Sequence, residues 1–458
     1  MNLSISPISQ SLQGLVPVPA DKSISHRAAI LSTLADGDTR IENFLDSETT
    51  HATLDCLRQL GAAIDELSPN TLVVHGRGLH SLQEPSDILF CKGSGTTIRF
   101  LAGLCAGQNF LSILDGTPAL KRRPMGRVVE PLRQMGAQIL GRDNDRLPPL
   151  AIRGGNLHGI EYQMPVASAQ VKSAILLASL FADSPTTVIE SSESRDHTER
   201  MLSAFGGKID RPVIASEAKQ SPKTRLEIAS SHTALLAMTI SPVSNLQSPT
   251  SIEIPSDFSS AVFFIIAALL LPNSEICIPN VGINPTRTGL LDALARMGAQ
   301  VKIENAREES GEPVGDLVIR AVSDLRSTVI SGADVPRMID EFPIFAVAAT
   351  QARGQTLVRD AAELRVKESD RVATVAQELR KMGAQIDERA DGFAIEGPTK
   401  LRGARVNAHH DHRLAMSLAV AALIAHGETV IEGWECVADS FPGFEETLSQ
   451  VTSLKSHA

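Results

Sequence analysis

The residues of this chain best suited to chemistry stand at the starts of apolar segments. Pro19-Ala20-Asp21-Lys22-Ser23-Ile24-Ser25-His26-Arg27 is polar and opens directly into Ala28-Ala29-Ile30-Leu31. A helix beginning near Ser23 sets Ser23 and Arg27 four residues apart on one face, with Lys22 at the tip beside unpaired backbone N–H groups. A helix N-terminus carries roughly half a positive charge, so two cations in its first turn make a place for an anion. The device recurs. Gly93-Ser94-Gly95-Thr96-Thr97, Ser168-Ala169-Gln170, Asp340-Glu341 and Asp411-His412-Arg413 stand before other apolar runs. Arg122-Arg123-Pro124-Met125, Arg195-Asp196-His197-Thr198 and Lys367-Glu368-Ser369-Asp370-Arg371 open amphipathic ones. Taken singly, each has a plainer reading: Gly-Ser-Gly-Thr is more often a helix-start turn than a phosphate loop, and 367–371 alone is a solvated face. Their common placement argues for one site. If equivalent helix starts face one cleft, Lys22, Arg27, Arg123, Arg195, Lys367, Arg371 and Arg413 outnumber Asp340 and Glu368 there. Such a cleft suits ligands with several negative charges, and its two carboxylates are candidates for proton transfer.

A repeated framework is needed to position these residues. Leu57-Arg58-Gln59-Leu60-Gly61-Ala62-Ala63-Ile64 returns as Leu-Arg-Gln-Met-Gly-Ala-Gln-Ile at 132–139, with variants at 202–209, 294–301 and 379–386 and a worn copy from Leu448. Each phrase reads as an amphipathic helix stopped by glycine and followed by a strand, because glycine supplies the left-handed conformation that ends a helix. About 40 residues before each phrase stands a second helix, apolar nearly all round, and the six start at Ser23, Ser94, Ser168, Ser259, Glu341 and Asp411. Helices of that kind are buried. The chain is therefore a sixfold repeat, with strand candidates at Leu72-Val73-Val74, Leu150-Ala151-Ile152, Leu317-Val318-Ile319 and Phe393-Ala394-Ile395. The widest gap separates the third and fourth phrases, and an insertion is expected around 211–250, which is rich in Ser, Pro, Thr and Ala. A boundary near Glu253 leaves three units on each side. One domain is expected at 20–252, including the insertion, and the other from 1–19 plus 253–458, facing it across a cleft.

The 458 residues are 43% hydrophobic, enough for two domains with large cores. A formal net charge of −10 speaks against a general nucleic-acid or membrane-surface binder, so attraction for anions must come from local clusters of Lys and Arg. The start lacks the basic segment and long apolar core of a secretory signal, and the longest apolar run, Ala261 to Leu271, is too short to span a bilayer. Cys56, Cys91, Cys105, Cys277 and Cys436 are scattered without a C-x-x-C pair, which fits a reducing compartment. A cytoplasmic monomer acting on small molecules is expected, with no nucleic-acid and no membrane partner. His409-His410-Asp411-His412 has the residue types of a metal site, but adjacent histidines on a helix point apart, so no metal and no cofactor are expected.

Asp-Lys-Ser-Ile-Ser-His-Arg at 21–27, Gly-Ser-Gly-Thr-Thr at 93–97, Arg-Arg-Pro-Met at 122–125, Ala-Ser-Ala-Gln-Val-Lys-Ser at 167–173 and Ser-Arg-Asp-His-Thr-Glu at 194–199 form an ordered series. Asn-Pro-Thr-Arg at 284–287, Leu-Arg-Val-Lys-Glu-Ser-Asp-Arg at 364–371, Asp-His-Arg at 411–413 and Ser-Phe-Pro at 440–442 continue it. The series resembles the 3-phosphoshikimate 1-carboxyvinyltransferase (EPSP synthase) family over nearly the whole chain, and 167–173 looks like its bacterial branch often less sensitive to glyphosate. The resemblance implies an α/β fold of two inverse barrel-like domains, each of three βαβαββ units, with the active site between them. It also implies transfer of the carboxyvinyl group of phosphoenolpyruvate to the 5-hydroxyl of 3-phosphoshikimate, in the shikimate pathway. By motif position, Lys22, Ser23, Arg27, Ser168, Gln170, Arg195, Asp340 and Lys367 would hold 3-phosphoshikimate. Lys22, Gly95, Arg123, Gln170, Arg371 and Arg413 would hold phosphoenolpyruvate. Asp340 is implied as the base on the 5-hydroxyl, with Glu368 and Lys22 in proton transfer.

Five positions depart from the family pattern. Lys92-Gly93 stands where the family usually has Gly-Asn, which puts a cation beside the phosphoenolpyruvate site in place of an amide. Ala20 and Ser256 replace usual glycines and would be strained if those backbones need positive φ. Asp439 sits near the place of a phosphoenolpyruvate-binding lysine in the plant-like branch. Two rivals follow: the sister transferase acting on UDP-N-acetylglucosamine, which usually carries a reactive cysteine near 115–127 where this chain has none, and a relative that binds anionic metabolites without turnover.

Overall fold

Each of the six repeats folds as one buried helix, one amphipathic helix and a small sheet, in a computed structural model that describes residues 1–211, 213–214 and 235–452. The buried helices are Lys22–Leu34, Gly95–Ala106, Ala169–Ser179, Phe258–Leu270, Phe342–Thr350 and His412–Leu423. Each begins within two residues of the place its sequence pattern indicates. Their starts are set by caps. Asp21 Oδ1 accepts from Ile24 N at 2.9 Å, Ser94 Oγ from Thr97 N at 3.1 Å, Asp257 Oδ1 from Ser259 N at 3.2 Å and Asp411 Oδ1 from Arg413 N at 3.0 Å. One such cap stabilises a helix by about 1 kcal/mol and fixes where it starts.

The amphipathic helices are Glu48–Gln59, Gly126–Gln134, His197–Ala204, Gly289–Arg296, Arg371–Lys381 and Phe444–Thr452. Five of them run into a glycine of the repeated phrase whose φ is positive, from 82° at Gly206 to 112° at Gly136. After that turn the chain enters a hairpin, as where Gln138–Gly141 pairs antiparallel with Leu147–Arg153, which pairs antiparallel with Leu111–Asp115. The buried helices approach one another closely: a Cβ on Gly103 would lie 2.2 Å from the carbonyl oxygen of Ala174. Glycine there lets Gly95–Ala106 lie against Ala169–Ser179.

Apolar side chains form two cores. One gathers residues from Ala20 to Ile254; the other combines Ile5–Val18 with residues from Phe258 to Val451. The start of the chain belongs with the second, since Asn2–Ile5 pairs antiparallel with Thr429–Glu432 and Gln13–Leu15 pairs parallel with Glu275–Cys277. The chain thus passes between the cores twice, and the two passages lie side by side. Asp21 N donates to Pro255 O and Asp257 N to Pro19 O, both at 2.8 Å. Ala20 and Ser256 face each other in this bridge, and neither has a positive φ, so the strain expected from replacing glycine is absent.

Part of the 211–250 stretch, where an insertion is expected, is strand. Leu235–Ile240 is a strand of the third sheet, paired antiparallel with Thr186–Glu190, and Leu246–Gln247 pairs with Ala35–Asp36. Leu-Leu-Ala-Met-Thr-Ile at 235–240 is a short apolar run set in a stretch whose overall composition reads as loop. Residues 212 and 215–234 of that stretch lie outside the described residues.

Lys172, part of the motif at 167–173, is structural. It is 2% exposed, with Nζ 2.8 Å from both Glu190 Oε2 and Glu199 Oε1. Lys172→Met leaves two buried carboxylates without their counter-ion, a loss of about 3–5 kcal/mol. A clearly lower urea midpoint is expected, and an unchanged midpoint would show that the pair contributes nothing.

Candidate active site

A cleft of about 380 Å³ lies between the cores, and all six buried helices contribute to its wall at their starts, through Lys22, Thr96, Ser168, Asp257, Asp340 and His412. The repeat therefore does what its regularity implies: equivalent helix ends converge. Among the described residues seven Lys and Arg side chains and five carboxylates line the cleft. The excess of positive charge is smaller than the motifs suggest, because Asp257, Asp360 and Glu363 join Asp340 and Glu368.

Arg27 is fixed by neutral partners. Its Nε donates to Thr198 Oγ1 at 2.6 Å and its Nη2 to Ser173 Oγ at 2.7 Å, while its Cζ lies 4.6 Å from the centre of the Phe100 ring. Burial pulls its pKa down to about 10, and among the described residues no carboxylate is in contact with it, which leaves the cation open to an external anion. Gln170 is oriented just as firmly. Its Oε1 accepts from Arg99 Nη1 at 2.7 Å and its Nε2 donates to Thr96 Oγ1 at 2.9 Å. Gly95 makes room for this group, since a Cβ there would come within 2.7 Å of Nη1 of both Arg99 and Arg123.

Across the cleft, arginines meet the two carboxylates. Arg195 Nη2 donates to Asp340 Oδ2 at 2.7 Å, and Arg413 Nη2 stands 3.5 Å from the same oxygen. Arg123 Nη2 lies 3.2 Å from Glu368 Oε1, and Arg127 Nη1 bonds both oxygens of Glu363, at 2.8 and 2.9 Å. Lys367 reaches Glu363 at 3.9 Å. Burial pushes the Asp340 carboxyl up, but Arg413, Arg195, Arg371 and Lys367 outweigh it and hold the carboxyl well below the usual range. Glu368 follows the same pattern, with burial opposed mainly by Arg123 and Arg371. Lys22 and Lys367 are both shifted down, chiefly by burial, and Arg413 adds to the shift of Lys22. A lysine so placed gives up its proton more readily than one in water.

Of the residues singled out from sequence, Lys22, Ser23, Arg27, Arg123, Ser168, Gln170, Arg195, Asp340, Lys367, Glu368 and Arg413 line the one cleft. Gly95 and Arg371 do not. Arg371 is 1% exposed and engaged by three carboxylates: Nε donates to Asp411 Oδ2 at 2.8 Å, Nη2 to Glu368 Oε2 at 2.8 Å and Nη1 to Asp340 Oδ1 at 3.1 Å. It stands behind the wall and aims both cleft carboxylates. Lys92 also departs from its expected place, for its Nζ turns to Asp55 at 3.7 Å and its backbone has φ 48°. Asp439 is half-buried outside the cleft wall; burial raises its carboxyl, with Lys22 opposing.

A family model of EPSP synthase (3-phosphoshikimate 1-carboxyvinyltransferase) matches residues 7–448. The chain belongs to the EPSP synthase family. It is 49% identical over 451 residues to the 3-phosphoshikimate 1-carboxyvinyltransferase of Desulforudis audaxviator, covering 98% of this chain and 99% of that one. The solved EPSP synthase of Acinetobacter baumannii superposes with a TM-score of 0.83 at 40% identity, covering 98% of each chain. The enolpyruvyl transferase NikO of Streptomyces tendae shares the fold alone, with a TM-score of 0.73 at 18% identity. The six small sheets and their helices are thus the two-domain inverted α/β barrel of this family.

Arg99, Arg287, Glu363 and His412 contribute to the EPSP synthase cleft but are absent from the sequence-based assignment. Arg99 interrupts the apolar run Thr97-Ile98-Arg99-Phe100-Leu101, and a cation there had to have a partner. Arg287 ends the Asn-Pro-Thr-Arg motif, and Glu363 gave no local signal. His412 lines the cleft, and its buried Nε2 has no hydrogen-bond partner among the described residues. Burial, Lys22 and Arg413 hold it well below the ordinary histidine pKa, so the neutral form is favoured. His412→Gln is therefore expected to change the height of the pH–rate profile but to leave its acid limb in place. An acid limb that disappears in the variant would make His412 the titrating group.

Proposed function

We infer that the chain transfers the carboxyvinyl group of phosphoenolpyruvate to the 5-hydroxyl of 3-phosphoshikimate, giving 5-enolpyruvylshikimate 3-phosphate and phosphate on the way to chorismate and the aromatic amino acids. The observation that carries the reading is the convergence of six helix starts, with Asp340 and Glu368 set among cations, in a chain of this family. Two polyanionic substrates need such a field, and the bond change needs a base and an acid beside it.

In the addition step, the 5-oxygen bonds to C2 of phosphoenolpyruvate as its proton leaves and C3 gains one. The tetrahedral adduct then loses that C3 proton and expels phosphate. Asp340 takes the hydroxyl proton, while Glu368 and Lys22 serve the proton at C3 and the departing phosphate. Lys22, Ser23, Arg27, Ser168, Gln170, Arg195, Asp340 and Lys367 hold 3-phosphoshikimate. Phosphoenolpyruvate is held by Lys22, Arg123, Gln170 and Arg413, with Gly95 giving space to Arg123 and Arg371 acting from behind by fixing Asp340 and Glu368.

The two cores act as two domains, 20–252 and 1–19 with 253–458, that close on the substrates. The division is supported by the separate apolar clusters. A cytoplasmic monomer fits a cleft complete within one chain and five free cysteines. Among the described residues no helix is long and apolar enough to cross a membrane. Phosphate release from phosphoenolpyruvate, measured with and without 3-phosphoshikimate, tests the reaction: release is expected only with both, and none with both would refute it.

Arg413 and Arg195 separate the two anion pockets. A guanidinium grips a carboxylate or phosphate through two parallel hydrogen bonds that Lys cannot reproduce. Losing such a buried partner costs about 2–5 kcal/mol, and about 1.4 kcal/mol is tenfold. Arg413→Lys is expected to weaken phosphoenolpyruvate use by roughly one to three orders of magnitude and to leave 3-phosphoshikimate binding nearly unchanged. Arg195→Ala is expected to do the reverse. Equal losses for both substrates in both variants, measured by calorimetry, would overturn the assignment of separate pockets.

A further inference from the structure

Glu341 follows Asp340 at the start of the helix Phe342–Thr350 and is 1% exposed. Its Oε1 accepts from the Ser259 hydroxyl, and Ser259 Oγ accepts from Arg287 Nη2 at 2.7 Å. The same Nη2 donates to Asp257 Oδ1 at 2.7 Å, while Nη1 donates to Asp21 Oδ2. Asp21 and Asp257 cap the helices Lys22–Leu34 and Phe258–Leu270, and both lie on the paired passages between the cores. A continuous run of hydrogen bonds therefore leads from the residue beside Asp340 to the crossing and on to the helix start that carries Lys22.

We propose that Glu341 is a positioning residue: through Ser259 and Arg287 it fixes the backbone of Asp340 relative to the crossing, so that Asp340 and Lys22 keep their spacing as the cleft closes. The inference rests on the reading of Asp340 as the base. Glu341 itself does not line the cleft, so it has no contact with substrate. Among the described residues its Oε2 is buried without a partner. An anion with one oxygen unpaired is costly to bury, and a neutral acid costs less. Arg195, Asp340, Arg413 and Arg287 are the charged groups that face it. Burial raises its carboxyl and Asp340 adds to the rise, against the pull of the three arginines, so the acid is held above its ordinary pKa. A carboxamide has the shape of the neutral acid and keeps the acceptor for Ser259.

Steady-state kinetics with both substrates across pH, on Glu341→Gln, Glu341→Ala and Ser259→Ala, test the proposal. Glu341→Gln is expected to keep kcat within about threefold of the unsubstituted chain with the acid limb of kcat in place. Either alanine variant is expected to lower kcat about tenfold or more while both KM values move less than about threefold, since only placement of the base is lost. The double alanine variant should lose no more than the worse single one, because the two residues act through one link. A glutamine variant as slow as the alanine one overturns the proposal. So do alanine variants within twofold of the unsubstituted kcat, or losses confined to KM. Should Glu341→Ala not fold, Ser259→Ala decides by the same criterion, for it removes only a hydroxyl. An unsubstituted protein without turnover refutes the functional reading instead, and that is seen before any variant is compared.

Discussion

Six helix starts turned to one cleft set their positive ends and their cationic side chains against each other, and much of the remaining structure offsets that repulsion. The offset comes from carboxylates that do two things at once. Asp21 and Asp257 each cap a helix and together hold Arg287. Asp411 caps the sixth buried helix and holds Arg371. Each negative charge therefore both starts a helix and anchors an arginine. Because a capping position is fixed by the backbone, the arginine it anchors is fixed too, which is the preorganisation an electrostatic site needs.

The elements that follow from local pattern were legible in the chain. Apolar runs placed the buried helices, and glycine after five of the amphipathic runs placed the turns, because both depend on residues within about two helical turns of each other. Contacts between distant residues were not legible in the same way. Arg371 has the same residue type and motif setting as Arg413, yet it is enclosed by Asp340, Glu368 and Asp411 while Arg413 faces the cleft. Which of the two meets a ligand depends on where Asp411 and Asp340 fall in space, and spacing along the chain does not give that. Lys92 is the same case, decided by Asp55 on a neighbouring helix. The strand Leu235–Ile240 was hidden for another reason: its partner Thr186–Glu190 lies across the stretch whose composition dominated the reading.

The family resemblance and the geometry inform each other unequally. Overall likeness at 18% identity to NikO still gives a TM-score of 0.73, so the sixfold framework tolerates extensive change of sequence. What such a framework guarantees is only that helix starts converge. Which anions fit depends on the side chains placed there, and in this chain these include neutral partners around Arg27 and an amide locked by Arg99. Hydroxyls leave the Arg27 charge unspent, whereas a carboxylate would neutralise it.

The pairing of cleft arginines with cleft carboxylates bears on when the base becomes competent. Arg413, Arg195, Arg371 and Lys367 hold Asp340 well below the usual carboxylate range, and a carboxylate so stabilised is a weak base. On the proposed assignment, 3-phosphoshikimate engages Arg195 and Lys367, and phosphoenolpyruvate engages Arg413. Their negative charges then face three of the four cations that depress the carboxyl. Neutralising those cations raises the proton affinity of Asp340, while Arg371, out of reach behind the wall, keeps the carboxylate aimed. On that assignment the proton affinity of Asp340 rises as each pocket fills. On the proposed assignment, ligand charge itself couples occupancy to the strength of the base.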